Sequence, residues 1–305
     1  MSKSILVTGA TGKQGGAVID ALLAENADFT ILALTRTKAS ASAEKLAQKS
    51  PKIKLVEGNM DDCPAIFESA KEVTSEPIWG VFSVQVPMGK GASPETEERQ
   101  GKALIDASLA AGVSFFVYAS VDRGGDKSSS NPTYIPHFIS KHNIEKHLET
   151  QTANGEKMGY CVLRPTAFFD NMTPDFMGKG FNTAWKVAVK ERPLQLIAVR
   201  DIGVFAAKAF INPEEYSGKY ISLAGDELSF PEAAKVFREK TGDEIPTTYE
   251  FLAHGMLWAV KEMGLMMKWF YEEGYGANIG ELKKTHPDLL DFGAWLETQS
   301  GFHTK

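Results

Sequence analysis

The sequence predicts an α/β fold: a doubly wound parallel sheet with a smaller, mainly helical C-terminal part. Three observations carry this expectation. Residues 4–8 are a short apolar run bounded by glycine, followed by a Gly-rich turn and by Val18, Leu22 and Leu23 at helical spacing. Strand-length apolar runs then alternate with helical segments up to residue 165, the rhythm of parallel strands joined by crossover helices. Beyond Asn171 that rhythm stops. A chain of 305 residues can bury a sizeable core. The expected division is a first domain over 1–165, with 200–212 returning to it, and a smaller cleft-closing part over 166–305.

Composition narrows the function classes. A net charge of −6 argues against a general nucleic-acid binder. No apolar stretch approaches the ~18 residues of a membrane span. The N-terminus enters a strand directly, so no signal peptide is expected, and the expected location is cytoplasmic, with the nucleus as an alternative. Cys63 and Cys161 stand far apart and outside any CxxC or His–Cys cluster. They are expected to be free thiols, and no metal site is expected.

The first turn holds the strongest motif. Gly9, Gly12 and Gly15 are spaced G-x-x-G-x-x-G between the first strand and the first helix. Gly9 permits the tight turn, Gly12 lets a pyrophosphate approach the backbone, and Gly15 lets helix and strand pack closely. The N–H groups opening the helix then face an anion. Three glycines also suit a ligand-free βα turn. The strand before them and the helix after them favour a dinucleotide, and hence a Rossmann-type sheet.

The second strand, residues 29–35, runs straight into Arg36, Thr37 and Lys38, with no acid until Glu44. At this position an acid suits the 2′-hydroxyl of NAD and a cation the 2′-phosphate of NADP. The expected cofactor is therefore NADP(H), preferred over NAD(H); a solvated basic loop is the alternative. A third strand, 53–57, ends in Gly58-Asn59-Met60-Asp61-Asp62, polar groups that suit adenine, a helix N-cap or both. The fourth, 78–86, has Gln85 and Pro87 at its mouth, before a loop at Gly89-Lys90-Gly91-Ala92. Residues 94–111 read as a helix whose early acids, Glu95, Glu97 and Glu98, suit the helix dipole. A fifth strand, 115–119, precedes a Gly/Ser/Asn-rich loop, 120–136. Pro136 then opens a helix on which His137 and Lys141, four residues apart, share a face that suits the lining of a cofactor cleft.

Several of these residues together resemble a known family. Thr8-Gly9-Ala10-Thr11-Gly12-x-x-Gly15, the Gly58 turn and the Lys141 helix resemble the short-chain dehydrogenase/reductase superfamily. His137-Phe138-x-x-Lys141, Leu163-Arg164-Pro165 and Phe168-Phe169-Asp170-Asn171 are similar to its atypical NmrA-like branch. The superfamily's working enzymes use a Tyr-x-x-x-Lys pair, in which tyrosine delivers a proton and lysine holds the nicotinamide ribose. Here His137 stands in the tyrosine position, and Tyr134 is out of register because Phe138, not lysine, lies four residues on. Ser120 falls where the family's substrate-orienting serine stands.

The resemblance implies further cofactor contacts. Thr11, Gly12, Lys13, Gln14 and Gly15 would touch the pyrophosphate, and Arg36, with Thr37 beside it, the 2′-phosphate. Asn59 and Met60 would flank adenine, and Gln85 and Val86 the ribose side. Arg99 matches a basic cofactor contact, while Phe168 and Asn171 belong to the nicotinamide and substrate wall. Lys38 is offset from the family's second basic position, which weakens the NADP preference. A neutral-pH histidine can donate a proton, so His137 could replace tyrosine in a reductase of a small hydrophobic carbonyl or enone. NmrA-like proteins imply instead a sensor of the nicotinamide redox state that changes shape or protein partner with its cofactor. A surface or capping histidine and a solvated helix lysine are the plain alternatives.

In the C-terminal part, residues 173–192 read as a pocket wall or lid, and Asp201 as the cap of a helix returning to the first domain. Another helix is expected from Phe230 to Thr241. Residues 249–275 are rich in Met and aromatics, which suits a core helix pair or an adaptable apolar surface. An amphipathic helix over 288–299 closes the chain. His254 and His286 have no ligand partners at metal spacing.

Overall fold

A computed structural model describes residues 3–86 and 91–305. The loop expected at Gly89-Lys90 and the mouth residue Pro87 lie outside the described residues. The chain folds as two compact units. Unit 1 comprises Met1–Ser120, Ile139–Arg164 and Ile202–Ile221; unit 2 comprises Val121–Phe138, Pro165–Asp201 and Ser222–Lys305.

The first half of the chain alternates as its periodicity predicts. Strand β1 (Lys3–Val7) leads to helix α1 (Lys13–Ala24), β2 (Phe29–Thr35) to α2 (Ala41–Ala47), and β3 (Ile53–Glu57) to α3 (Cys63–Lys71). Then come β4 (Ile78–Ser83), α4 (Pro94–Ala110), β5 (Phe115–Ala119), α5 (Pro136–Gln151) and β6 (Gly159–Pro165). Helix starts are written locally: Ser40, Asp62 and Ser93 each accept a first-turn N–H of α2, α3 and α4. The fourth strand is shorter than the expected 78–86, because pairing with β5 ends at Ser83.

The second half adds β7 (Ala167–Phe168), α6 (Phe176–Ala184), β8 (Leu194–Ile197), α7 (Val199–Ile211), α8 (Pro213–Tyr216) and β9 (Lys219–Leu223). It ends with β10 (Asp226–Leu228), α9 (Phe230–Thr241), α10 (Glu250–Ala259), α11 (Lys261–Glu272), α12 (Ile279–Thr285) and α13 (Phe292–Thr298). No helix among the described residues is long and apolar enough to cross a membrane.

The seven-stranded sheet has the order β3-β2-β1-β4-β5-β6-β9. The pairings β1 to β2, β1 to β4, β2 to β3, β4 to β5 and β5 to β6 are all parallel. The strand order reverses between β1 and β4, the arrangement of a doubly wound sheet. Ile5, Leu6 and Val7 are fully buried, as a strand covered on both faces requires. Within unit 1 Trp79 stacks between Phe29 and Phe115, with ring centroids 5.8 and 6.0 Å away.

Unit 2 holds the sheet β10-β8-β7 and most of the later helices. Its core gathers Phe169, Trp185, Trp269, Phe292 and Trp295. The stretch over 173–192, read as a pocket wall or lid, holds α6 followed by a π-helical turn, Trp185–Val189, whose Trp185 is buried. Asp201 lies inside α7 and does not cap it. Its carboxylate is turned to the Leu290 N–H at 3.0 Å and to His286 Nε2 at 3.2 Å. The Met- and aromatic-rich stretch divides its roles. Helix α11 buries Met267, Trp269 and Phe270, whereas α10 leaves Phe251 and Trp258 exposed.

Candidate functional site

Within unit 1, the turn after β1 is tied down from the opposite strand. Thr8 Oγ1 donates to the Val84 carbonyl at 3.0 Å and accepts the Val84 N–H at 2.8 Å. Gly9 adopts φ +59°, which favours glycine, and its carbonyl accepts the Gly12 N–H at 2.8 Å. A Cβ on Gly15 would stand 2.5 Å from the Gly9 carbonyl carbon, so only glycine lets α1 pack so tightly behind the turn. Gly12 caps α1, and no side chain bonds the helix start from the cap. Thr11, Gly12 and Lys13 are exposed there.

This cradle suits a dinucleotide on two grounds. The helix start presents N–H groups and the positive dipole end to an anion. Beside it are two orphaned acceptors: Gln14 Oε1 and Gln85 Oε1 are buried with no hydrogen-bond partner among the described residues. Such acceptors suit hydroxyl or amide donors that a ligand brings. Gln85 itself is held by its Nε2 donating to Ser83 Oγ at 2.8 Å, and Val86 next to it is exposed.

At the ends of β2 and β3 lies an open depression of about 490 Å³, lined by Arg36, Lys38, Glu57, Gly58, Asn59, Ser69 and Glu72. Arg36 and Thr37 are exposed, and the Thr37 N–H donates to Thr35 Oγ1 at 3.3 Å. The Lys38 N–H donates to Glu57 Oε2 at 2.8 Å. Asn59 Oδ1 accepts the Asp61 N–H at 3.1 Å, while Met60 packs on the core of unit 1. Arg99 Nη2 bonds Asp61 Oδ1 at 2.7 Å. Gln100 and Arg99 together hold the Asp61 carboxyl below its usual pKa.

Lys141 and Ser120 also belong to unit 1. The Lys141 ammonium lies 2.8 Å from Glu97 Oε1 and 3.5 Å from the Ala119 carbonyl. Glu97 is fully buried, and its second oxygen accepts Ser140 Oγ at 2.5 Å. The Ser120 hydroxyl donates to Glu145, a buried carboxylate that Arg164 grips through Nε at 3.2 Å and Nη2 at 2.7 Å.

His137 lies in unit 2, although α5 carries both it and Lys141. Its Nδ1 is 2.7 Å from Glu262 Oε1, which also accepts the His137 backbone N–H at 2.8 Å. Burial acts to raise the Glu262 pKa, but the His137 ring and N–H outweigh it and hold the carboxyl below its ordinary value. Phe168 is half-buried at the end of β7 and Asn171 is exposed in the short helical turn after it.

Sequence reasoning missed the carboxylates. Glu97 reads as one more acid in a solvated first turn, yet it is the buried partner of Lys141. Glu262 and Glu145 carry no local signal, and Glu57 reads only as the last residue of a strand. Arg164 was legible as part of a motif, and the structure gives it a partner.

The model of the NmrA-like family matches residues 1–291. An NmrA-like family domain-containing protein of Dictyostelium discoideum is 25% identical over 288 residues, covering 92% of this chain and 90% of that protein. Among solved structures, Citrobacter sp. triphenylmethane reductase complexed with NADP(H) superposes with TM-score 0.72 at 18% identity, covering 97% of this chain and 99% of that one. NmrA, a negative transcriptional regulator, superposes with TM-score 0.69 at 17% identity over 97% and 94%. One similar fold thus serves a reductase and the other a regulator, and the family match over residues 1–291 decides the membership: this chain belongs to the NmrA-like family.

Proposed function

We propose that this protein binds NADP(H) and acts as a redox sensor or regulator, changing shape or partner with the bound cofactor. The observation that carries the reading is the Gly9–Gly15 cradle, whose helix is capped by Gly12 without a side-chain bond and flanked by the Gln14 and Gln85 acceptors, which have no partner among the described residues. We assign Gly9, Thr11, Gly12, Lys13, Gln14 and Gly15 to the pyrophosphate, and Arg36 with Thr37 to the 2′-phosphate. Asn59, Met60, Gln85, Val86, Arg99, Phe168 and Asn171 are assigned along the rest of the cofactor, and Lys141 to the ribose. The NADP(H) complex of triphenylmethane reductase supports the choice of cofactor.

The sensor reading is favoured over turnover by what holds the reactive side chains. Ser120 donates to the buried Glu145, and Lys141 is paired with the buried Glu97. The tyrosine position is His137.

A second reading has its own observation. Glu262 on Nδ1 orients the His137 ring, as a carboxylate orients a histidine that transfers protons. On this reading the protein is an NADPH-dependent oxidoreductase of a small hydrophobic carbonyl or enone. The cofactor supplies the hydride when bound. His137 supplies the proton, with Lys141 and Ser120 as the other candidate catalytic groups.

One experiment separates the two. NADPH fluorescence is titrated with the protein, and NADPH consumption is then followed with a panel of carbonyl and enone substrates. Saturable binding without consumption, together with cofactor-dependent oligomeric state or partner capture, is the sensor outcome. Turnover that His137→Ala abolishes would establish the reductase and end the sensor reading. No saturable signal would end both.

A further inference from the structure

We propose that Glu57 is a specificity-determining residue that restrains the preference for NADP(H), so that the site takes NAD(H) as well. The proposal rests on the dinucleotide reading above. Along the sequence, only cations follow β2. Parallel pairing changes that, because Thr35 of β2 stands opposite Glu57 of β3 and brings a carboxylate to the same strand-end row. Glu57 Oε2 accepts the Lys38 N–H at 2.8 Å, which anchors the carboxylate on the wall that Arg36 also lines. Glu72 lines the same depression from the turn after α3, so two cations face two carboxylates there.

Charge balance of this kind is a poor trap for a phosphate alone. A 2′-phosphate carries close to two negative charges near neutral pH. Arg36 attracts it and Glu57 repels it. A 2′-hydroxyl, by contrast, donates a hydrogen bond to a carboxylate and leaves the guanidinium in water. Arg36 and Glu57 therefore pull the choice of cofactor in opposite directions, and substituting one should unmask the other.

The test titrates NADPH and NADH, each by its fluorescence, into the full chain and its Glu57→Gln and Arg36→Ala variants. Glutamine keeps the size of the side chain and an oxygen that can accept the Lys38 N–H; Glu57 is exposed, so the fold has little reason to change. We expect wild-type affinities for the two cofactors within about tenfold of each other. Glu57→Gln should tighten NADPH by about fivefold, loosen NADH by about twofold, and lose most of this contrast in ~0.5 M salt. Arg36→Ala should move the ratio the other way. If both cofactors bind and Glu57→Gln leaves their ratio unchanged, the proposal is overturned while the cofactor reading survives. If wild type binds neither, the cofactor reading itself fails and takes the proposal with it.

Discussion

Lys141 Nζ lies 2.8 Å from Glu97 Oε1, and the two side chains are 10% and 0% exposed. Breaking such a pair leaves one charge buried without a counter-charge, which costs about 3–5 kcal/mol, more than a surface pair ever contributes. Glu97→Gln should therefore lower the unfolding free energy by about 3 kcal/mol, read from urea denaturation midpoints. Adding Lys141→Met to Glu97→Gln should recover much of that loss. Strictly additive losses would show that the two groups do not interact.

Arg36→Ala should weaken NADPH binding by about 1–3 kcal/mol, the range for a lost hydrogen bond to a charged group, and NADH far less. Titrating both cofactors checks it. Equal losses would mean that Arg36 does not read the 2′-phosphate.

Glu262 gives a pH dependence whose sign is fixed by its environment. Its folded pKa lies below the ordinary 4.5, because His137 outweighs burial. A depressed carboxyl contributes stability that is complete above the unfolded value and is lost as pH falls through the folded one. Thermal midpoints of the wild type should thus fall below pH 4.5 more steeply than those of Glu262→Gln. Parallel curves would refute the coupling.

Gly15→Ala places a methyl against the Gly9 carbonyl, 2.5 Å from its carbon. Because the contact is backbone on backbone, the turn itself must shift. A stability loss of about 1–3 kcal/mol is expected, together with loss of NADPH binding. Unchanged binding would separate the close packing of α1 from the cofactor cradle.

Trp258 is 87% exposed on α10, so Trp258→Ser should change stability by less than about 0.5 kcal/mol. Differential scanning calorimetry measures this directly. A large loss would mean that the ring packs against something in solution.

The first turn was legible because its physics is local. The apolar run of β1, the three glycines and the helical spacing of Val18 and Leu22 lie within twenty-odd residues, and each constrains backbone that is near in sequence. The cap at Asp62 was readable for the same reason, since a cap bonds an N–H three residues on. Asp201 looked like a cap by the same local rule, and its long-range bond to Leu290 overrode it.

By itself the sequence determined the strand–helix alternation, the glycine cradle and the basic residues after β2. Only the tertiary structure decided which carboxylate meets which base. Glu97 meets Lys141 from another helix, and Glu262 meets His137 across 125 positions. No periodicity encodes such pairs. They exist because strand register and helix packing bring distant side chains into one low-dielectric place, where an unpaired charge is too costly to leave.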